Sequence, residues 1–164
     1  MPQVIAAIDQ ARASGIDVTA NQYPYVAGAT SLGAIVPSKY HAAGTDAFVG
    51  RLKDPATRAQ IRNDLEASSS SFDNLWHSAG GVSGVLVASV LTPDLKRYQG
   101  RTVAQIAQLE NQDPLDAALD LVIVDRDNVG ELYFMMSEDE VKLAIRRKTG
   151  VTNLSWNSHA RDAH

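Results

Sequence analysis

Apolar positions at helical spacing open the chain. Val4, Ile5, Ile8 and Ala11 form one stripe beside Arg12, which predicts a helix from about Pro2 to Ser14 with Gly15 as its stop. Residues 16–23 then alternate and are rich in β-branched types, the pattern of a strand, which Pro24 closes. The small-residue stretch from Val26 to Gly33 predicts a long loop at the carboxyl end of that strand. Two helices follow, one from about Thr45 to Leu52. The next has Asp54 as N-cap, Pro55 at its first position, and Ile61 and Leu65 on one face. The serines at 68–71 predict a surface loop.

The second half repeats the alternation. Residues 84–91 predict an apolar strand, and Thr102 with Gln105 a capping box that starts a helix through Ile106 and Leu109. Asp113-Pro114 opens a further helix to Val122, and Leu132 to Met136 reads as a buried strand. Ser137 and Glu140 predict another capping box, with a helix carried to Gly150, then a last strand from Val151 to Trp156. Strands alternating with helices predict an α/β fold with a parallel sheet covered by helices. Three or four strands are too few to close an eight-stranded barrel, so a fragment of one is the simplest account.

Composition narrows the function classes. Hydrophobic residues at 45% and charged residues at 21% fit a globular chain with a core. The net charge of −4, with only Arg146, Arg147 and Lys148 clustered at an expected helix end, argues against a nucleic-acid partner. Aromatic residues at 6% leave little for a base-stacking surface. No apolar run has membrane length and no signal peptide is legible, so no membrane partner is expected. The absence of cysteine removes disulfides, thiolate ligands and a Cys nucleophile, and fits a cytoplasmic protein.

A self-contained active site is not legible. Gly80-Gly81-Val82-Ser83-Gly84 has the wrong spacing for a nucleophile elbow, and no phosphate loop is present. The histidines, His41, His77, His159 and His164, form no His-x-His and no zinc-peptidase pattern. Tyr23-Pro24-Tyr25 is more specific: Pro24 ends the extended segment, and the flanking tyrosines either aim hydroxyls above the sheet or cap the core edge.

The stretch Asp17-Val18-Thr19-Ala20-Asn21-Gln22-Tyr23-Pro24-Tyr25 with Ala27 and Thr30 resembles a signature of the N-acyl-D-amino-acid deacylase (D-aminoacylase) family of amidohydrolases. Further resemblances follow in the family's order: Leu52 to Arg58 around Asp54-Pro55, Gly100 to Ala107, Asp113 to Ala117, and Tyr133 to Val141. The resemblance implies the C-terminal segment of a (β/α)8 TIM-barrel amidohydrolase, occupying residues 1–164, with a helical insertion at about 37–100. It implies a parent enzyme in which zinc-bound water cleaves the amide of a small-molecule N-acyl-D-amino-acid substrate. Related amidohydrolases act on cyclic amides.

By the same resemblance, Tyr23, Tyr25, Tyr133 and Met136 are expected at the substrate, and Arg161 is the candidate for its carboxylate. The family's metal ligands lie upstream of the matching stretch, so zinc is not expected to bind this chain specifically. The catalytic Asp expected after the last strand is replaced by Trp156 or Asn157, so no catalytic residue is assigned. Asn21 also stands where the signature has Asp. Zinc lowers the pKa of bound water to about 7, roughly 12 kcal/mol of nucleophile generation. The expectation is therefore a chain inactive alone, whose partner is the missing barrel half or a second copy. The alternative is a non-catalytic remnant or binding subunit that pairs with a partner chain.

Overall fold

The structure, a computed structural model, describes residues 1–67 and 72–146. The described helices are α1 Pro2–Ala13, α2 Gly44–Leu52, α3 Pro55–Glu66, α4 Leu75–Ser78, α5 Val103–Glu110, α6 Pro114–Val124 and α7 Glu138–Arg146. The strands are β1 Gly28–Ser31, β2 Val85–Ser89 and β3 Gly130–Tyr133. The chain divides into two compact units, one of Met1–Val26 with Met136–His164, the other Ala27–Met135.

In the first unit, α1 starts on Pro2, buries Ile5 and ends at Gly15, whose φ of +86° only glycine adopts without strain. The Arg12 guanidinium donates to the Val18 carbonyl at 2.6 and 2.9 Å, which ties the following segment back to the helix. The Met1 amino group pairs with Glu140 at 3.0 Å, and the Gln22 side chain donates to the Val141 carbonyl at 3.2 Å. Acidic residues 138–140 sit in the first turn of α7, where the helix dipole favours them.

Residues 16–23, expected as a strand, form none; Gln22 alone makes a bridge. Ile16 is exposed, and side-chain bonds from α1 hold the segment instead of a strand ladder. The helix expected to reach Gly150 is described to Arg146, and the strand expected at Val151–Trp156 lies outside the described residues.

The second unit is built on a three-stranded sheet of order β1-β3-β2, antiparallel throughout. This corrects the expected parallel sheet. Gly28 pairs with Tyr133 and Ser31 with Gly130 on one side; Val85 pairs with Tyr133 and Val87 with Glu131 on the other. β1 corrects the expected loop at 26–33. Its small residues let β3 approach: a Cβ on Gly28 would sit 2.7 Å from Met135 Cε. The strand expected to run from Leu132 through Met136 instead ends at Tyr133. There the Met135 amide turns back onto the Tyr133 carbonyl at 3.0 Å and leaves Phe134 and Met135 exposed. β2 falls inside the expected apolar strand, and its outer edge is covered by residues 100–102, through Gly100 N to Val87 O at 2.8 Å and a Leu86–Thr102 bridge.

Helices complete this unit's core. α6 buries Leu115, Ala118, Leu119 and Val122, joined by Phe48 and Leu52 of α2, Ile61 of α3, and Val103 and Ile106 of α5. Each fully buried aliphatic or aromatic side chain contributes about 1.5–3 kcal/mol. Arg58 of α3 pairs with Asp116 at 2.9 Å and with Asp120, so α3 is pinned to α6. Among the described residues, no helix is long and apolar enough to cross a membrane.

Candidate functional site

Several stretches that carry the family resemblance turn out to be helix starts. Asp54 accepts from the Ala56 and Thr57 amides and from the Thr57 hydroxyl, which together hold its carboxyl below the usual range. Thr102 and Gln105 form the reciprocal capping box. Asp113 caps α6 through the Leu115 and Asp116 amides at 2.9 and 3.1 Å and takes Arg62 at 2.7 Å. Arg62 lowers the Asp113 carboxyl most. These groups are occupied in ending and joining helices.

The candidate substrate residues divide between the units. Tyr23 and Tyr25 belong to the first and are 54% and 45% exposed, on either side of a half-buried Pro24. Met136 belongs to the same unit and is half-buried; its amide donates to the Val26 carbonyl at 3.1 Å, beside the residue that follows Tyr25. The unit thus brings Met136 to the tyrosine loop. Tyr133 belongs to the second unit and is wholly buried, with its hydroxyl donating to the Ser31 carbonyl at 2.9 Å. Burial, then the negative charges of Glu131 and Asp127, push its phenol far up. In this arrangement the Tyr133 hydroxyl serves the backbone. Arg161, Trp156, Asn157, His159 and His164 lie outside the described residues.

Two acidic groups escaped the sequence reading. Glu131 alternates with Gly130 and Leu132 on β3, so it shares the inner face with Tyr133 and is 1% exposed. Neither of its carboxylate oxygens has a hydrogen-bond partner among the described residues. Asp127 follows α6 with φ +61°, next to Arg126 at +52°, a left-handed pair with no glycine in it. Gly33 packs against the Asp127 carboxylate so closely that a Cβ there would collide with it. Burial raises the Asp127 carboxyl, while His41 and the Gly33 amide pull it back. The signal for Glu131 was period-2 alternation: a strand with Tyr133 facing the core must also turn Glu131 inward.

His41 stacks on Phe48 with ring centroids 4.0 Å apart and places Nε2 3.1 Å from the Val36 carbonyl. His77 is exposed on α4, whose cap is Asn74. Among the described residues, no three His, Asp or Glu side chains converge so as to hold a metal ion. They do not by themselves fit the zinc centre that the family resemblance implies, and no chemical step is routed through one. A cleft of about 230 Å³ opens between Leu65, Trp76, Val82 and Pro114, but the Arg62 on its wall is already paired with Asp113 and Asp116.

No protein-family model matches the chain. No curated protein matches it. Among solved structures it is similar to an N-acyl-D-glutamate deacylase from Bordetella bronchiseptica, solved with zinc and a phosphonate inhibitor that mimics the reaction's tetrahedral intermediate. The likeness has a TM-score of 0.54 at 21% identity and covers 93% of this chain. The chain spans 22% of the length of that deacylase. At this identity the likeness is one of fold: the chain has the fold of a segment of that enzyme.

Proposed function

We propose that this chain is a segment of a zinc-dependent amidohydrolase that cleaves linear amides of N-acyl-D-amino acids, with the metal ligands supplied by polypeptide outside residues 1–164. The observation that carries the reading is the fold likeness to an N-acyl-D-glutamate deacylase over 93% of the chain. The ordered motif resemblances from Asp17 to Val141 are in accord with it. In this reading the chain belongs to the C-terminal part of a (β/α)8 barrel, and a helical insertion occupies about 37–100.

Tyr23, Tyr25 and Met136 then shape the substrate side of the barrel mouth, and Arg161, outside the described residues, remains the candidate for the carboxylate of the N-acyl amino acid. Tyr133, in the other unit, holds the Ser31 carbonyl. In this reading the metal that activates water is held by other polypeptide, and the isolated chain is expected to be inactive.

The test has two arms. The purified chain is analysed for zinc and assayed on N-acetyl-D-methionine and N-acetyl-D-glutamate; it is then assayed together with the polypeptide encoded immediately upstream. The expected result is neither stoichiometric zinc nor turnover alone, and turnover once a His-x-His segment is supplied. Stoichiometric zinc with turnover by the chain alone would overturn the split of labour. An upstream region without His-x-His, and no turnover in the combination, would sink the hydrolase reading.

A further inference from the structure

The second unit carries a group that the hydrolase reading does not use. Glu131 stands in the middle strand of the sheet, between β1 and β2, with its side chain turned into the core. Directly across from it are Thr30 on β1 and Val87 on β2, neither of which titrates. The other buried polar side chain of this unit, Asp125, is accounted for: it accepts from the Leu91 and Thr92 amides at 2.6–3.1 Å. Glu131 has no such partner on either oxygen. No cation is paired with it among the described residues, and burial is what acts on its charge. Tyr133 lies two residues along the same face and feels both Glu131 and Asp127; His41 reaches Asp127 and tempers that charge only. A carboxylate in such a place loses its hydration and gains nothing in return, whereas a neutral acid is tolerated.

We propose that Glu131 is a protonation-operated latch: the neutral acid seats β3 in the sheet, and its ionisation unseats the strand and releases the Tyr133 hydroxyl from the Ser31 carbonyl. The position makes the response large. β3 is the strand both others pair with, so a shift of β3 that carries Glu131 toward water strains both ladders. Burial pushes the carboxyl up to about 9 from an ordinary 4.5, in accord with the geometry. The folded chain then holds a proton that the unfolded chain has lost, throughout the interval between those values. Stability is full below pH 4.5, falls through that interval, and levels off once the folded carboxyl has also ionised. Asp127 acts in the same direction from its own site and remains when Glu131 is replaced.

The experiment is equilibrium urea unfolding of the full chain from pH 5 to 10, for the wild type, Glu131→Gln and Glu131→Leu. It is joined to a carbon-13 NMR titration of the Glu131 carboxyl and of the β3 amides in the wild type. One proton held in excess changes the folded-to-unfolded ratio roughly tenfold per pH unit. The wild type is expected to lose that much more than either variant for each unit until the high value is passed. The carboxyl is expected to titrate far above pH 5, with the amides of residues 130–133 shifting at the same midpoint. Parallel pH curves for wild type and variants overturn the latch, as does a carboxyl that titrates near 4.5. So does a carboxyl that titrates high while the β3 amides stay unmoved. Should neither variant fold, the wild-type titration decides alone. None of these outcomes bears on deacylase turnover, so the latch and the hydrolase reading stand or fall separately.

Discussion

The two units differ in what holds them. Ala27–Met135 buries a continuous core, with Leu32, Ile35, Phe48, Leu52, Ile61, Val103, Leu119 and Val122 all nearly or fully removed from water. In the described part of the other unit, Ile5 and Ala144 are the buried apolar residues, while Val4, Ile16, Tyr23, Tyr25, Leu143 and Ile145 are exposed. Its links are polar: an amino group on Glu140, a guanidinium on the Val18 carbonyl, and a glutamine on the Val141 carbonyl. Surface polar links of this kind contribute little singly. The Ala27–Met135 unit therefore has the means to fold on hydrophobic burial. The described part of the other unit does not, and its exposed apolar residues await something to pack against.

The sharpest way to break the contrast is to truncate the core. Leu119→Ala is expected to cost about 2–5 kcal/mol, while Val4→Ala, at a position 57% exposed, stays within about 0.5 kcal/mol. Urea denaturation of both variants checks this, and equal losses would show that the first unit shares the core's cooperativity. Next comes Tyr133→Phe, which leaves the ring in place and strips the Ser31 carbonyl of its donor; a loss of about 1–3 kcal/mol is expected by thermal unfolding.

Asp113→Ala follows, at about 0.5–2 kcal/mol for the lost cap of α6. Because the Asp113 carboxyl is held below 3.8 in the folded chain, its contribution is present above pH 3.8 and is lost as pH falls through the lower folded value. The stability gap between wild type and Asp113→Ala should then be full above about pH 4 and narrow below it. The smallest effect is expected at the tyrosine loop: Tyr23→Phe and Tyr25→Phe leave the unfolding midpoint within about 0.5 kcal/mol of wild type. Under the proposed function, they lower kcat/KM in the assembled enzyme.

What the sequence made legible follows the range of the interactions. Asp54-Pro55, Thr102 with Gln105, and Asp113-Pro114 are starts written within four residues, and each helix begins where those residues place it. The sheet was misread because its pairing is remote. Gly28–Ser31 has the composition of a loop, and only strand β3, a hundred positions later, turns it into β1. Residues 16–23 have the alternation of a strand, yet no ladder is described for them. The tyrosine loop was legible through family resemblance, which says nothing about exposure. Glu131 was passed over because a charged residue between Gly130 and Leu132 reads as a solvent-facing position, and the burial of Tyr133 was needed to reverse that.

The place of β3 in the chain also bears on synthesis. The Tyr133 hydroxyl reaches a carbonyl 102 positions earlier, and β3 is the common neighbour of β1 and β2 in the described sheet. On the ribosome, both earlier strands therefore emerge without their common neighbour. The sheet cannot close until residues 130–133 have left the exit tunnel, nearly a whole unit later. Through that interval the edges of β1 and β2 that β3 will take are open to whatever else can pair with them. The helices with local caps are the parts able to form in the meantime, which orders the folding of this unit as helices first and sheet last.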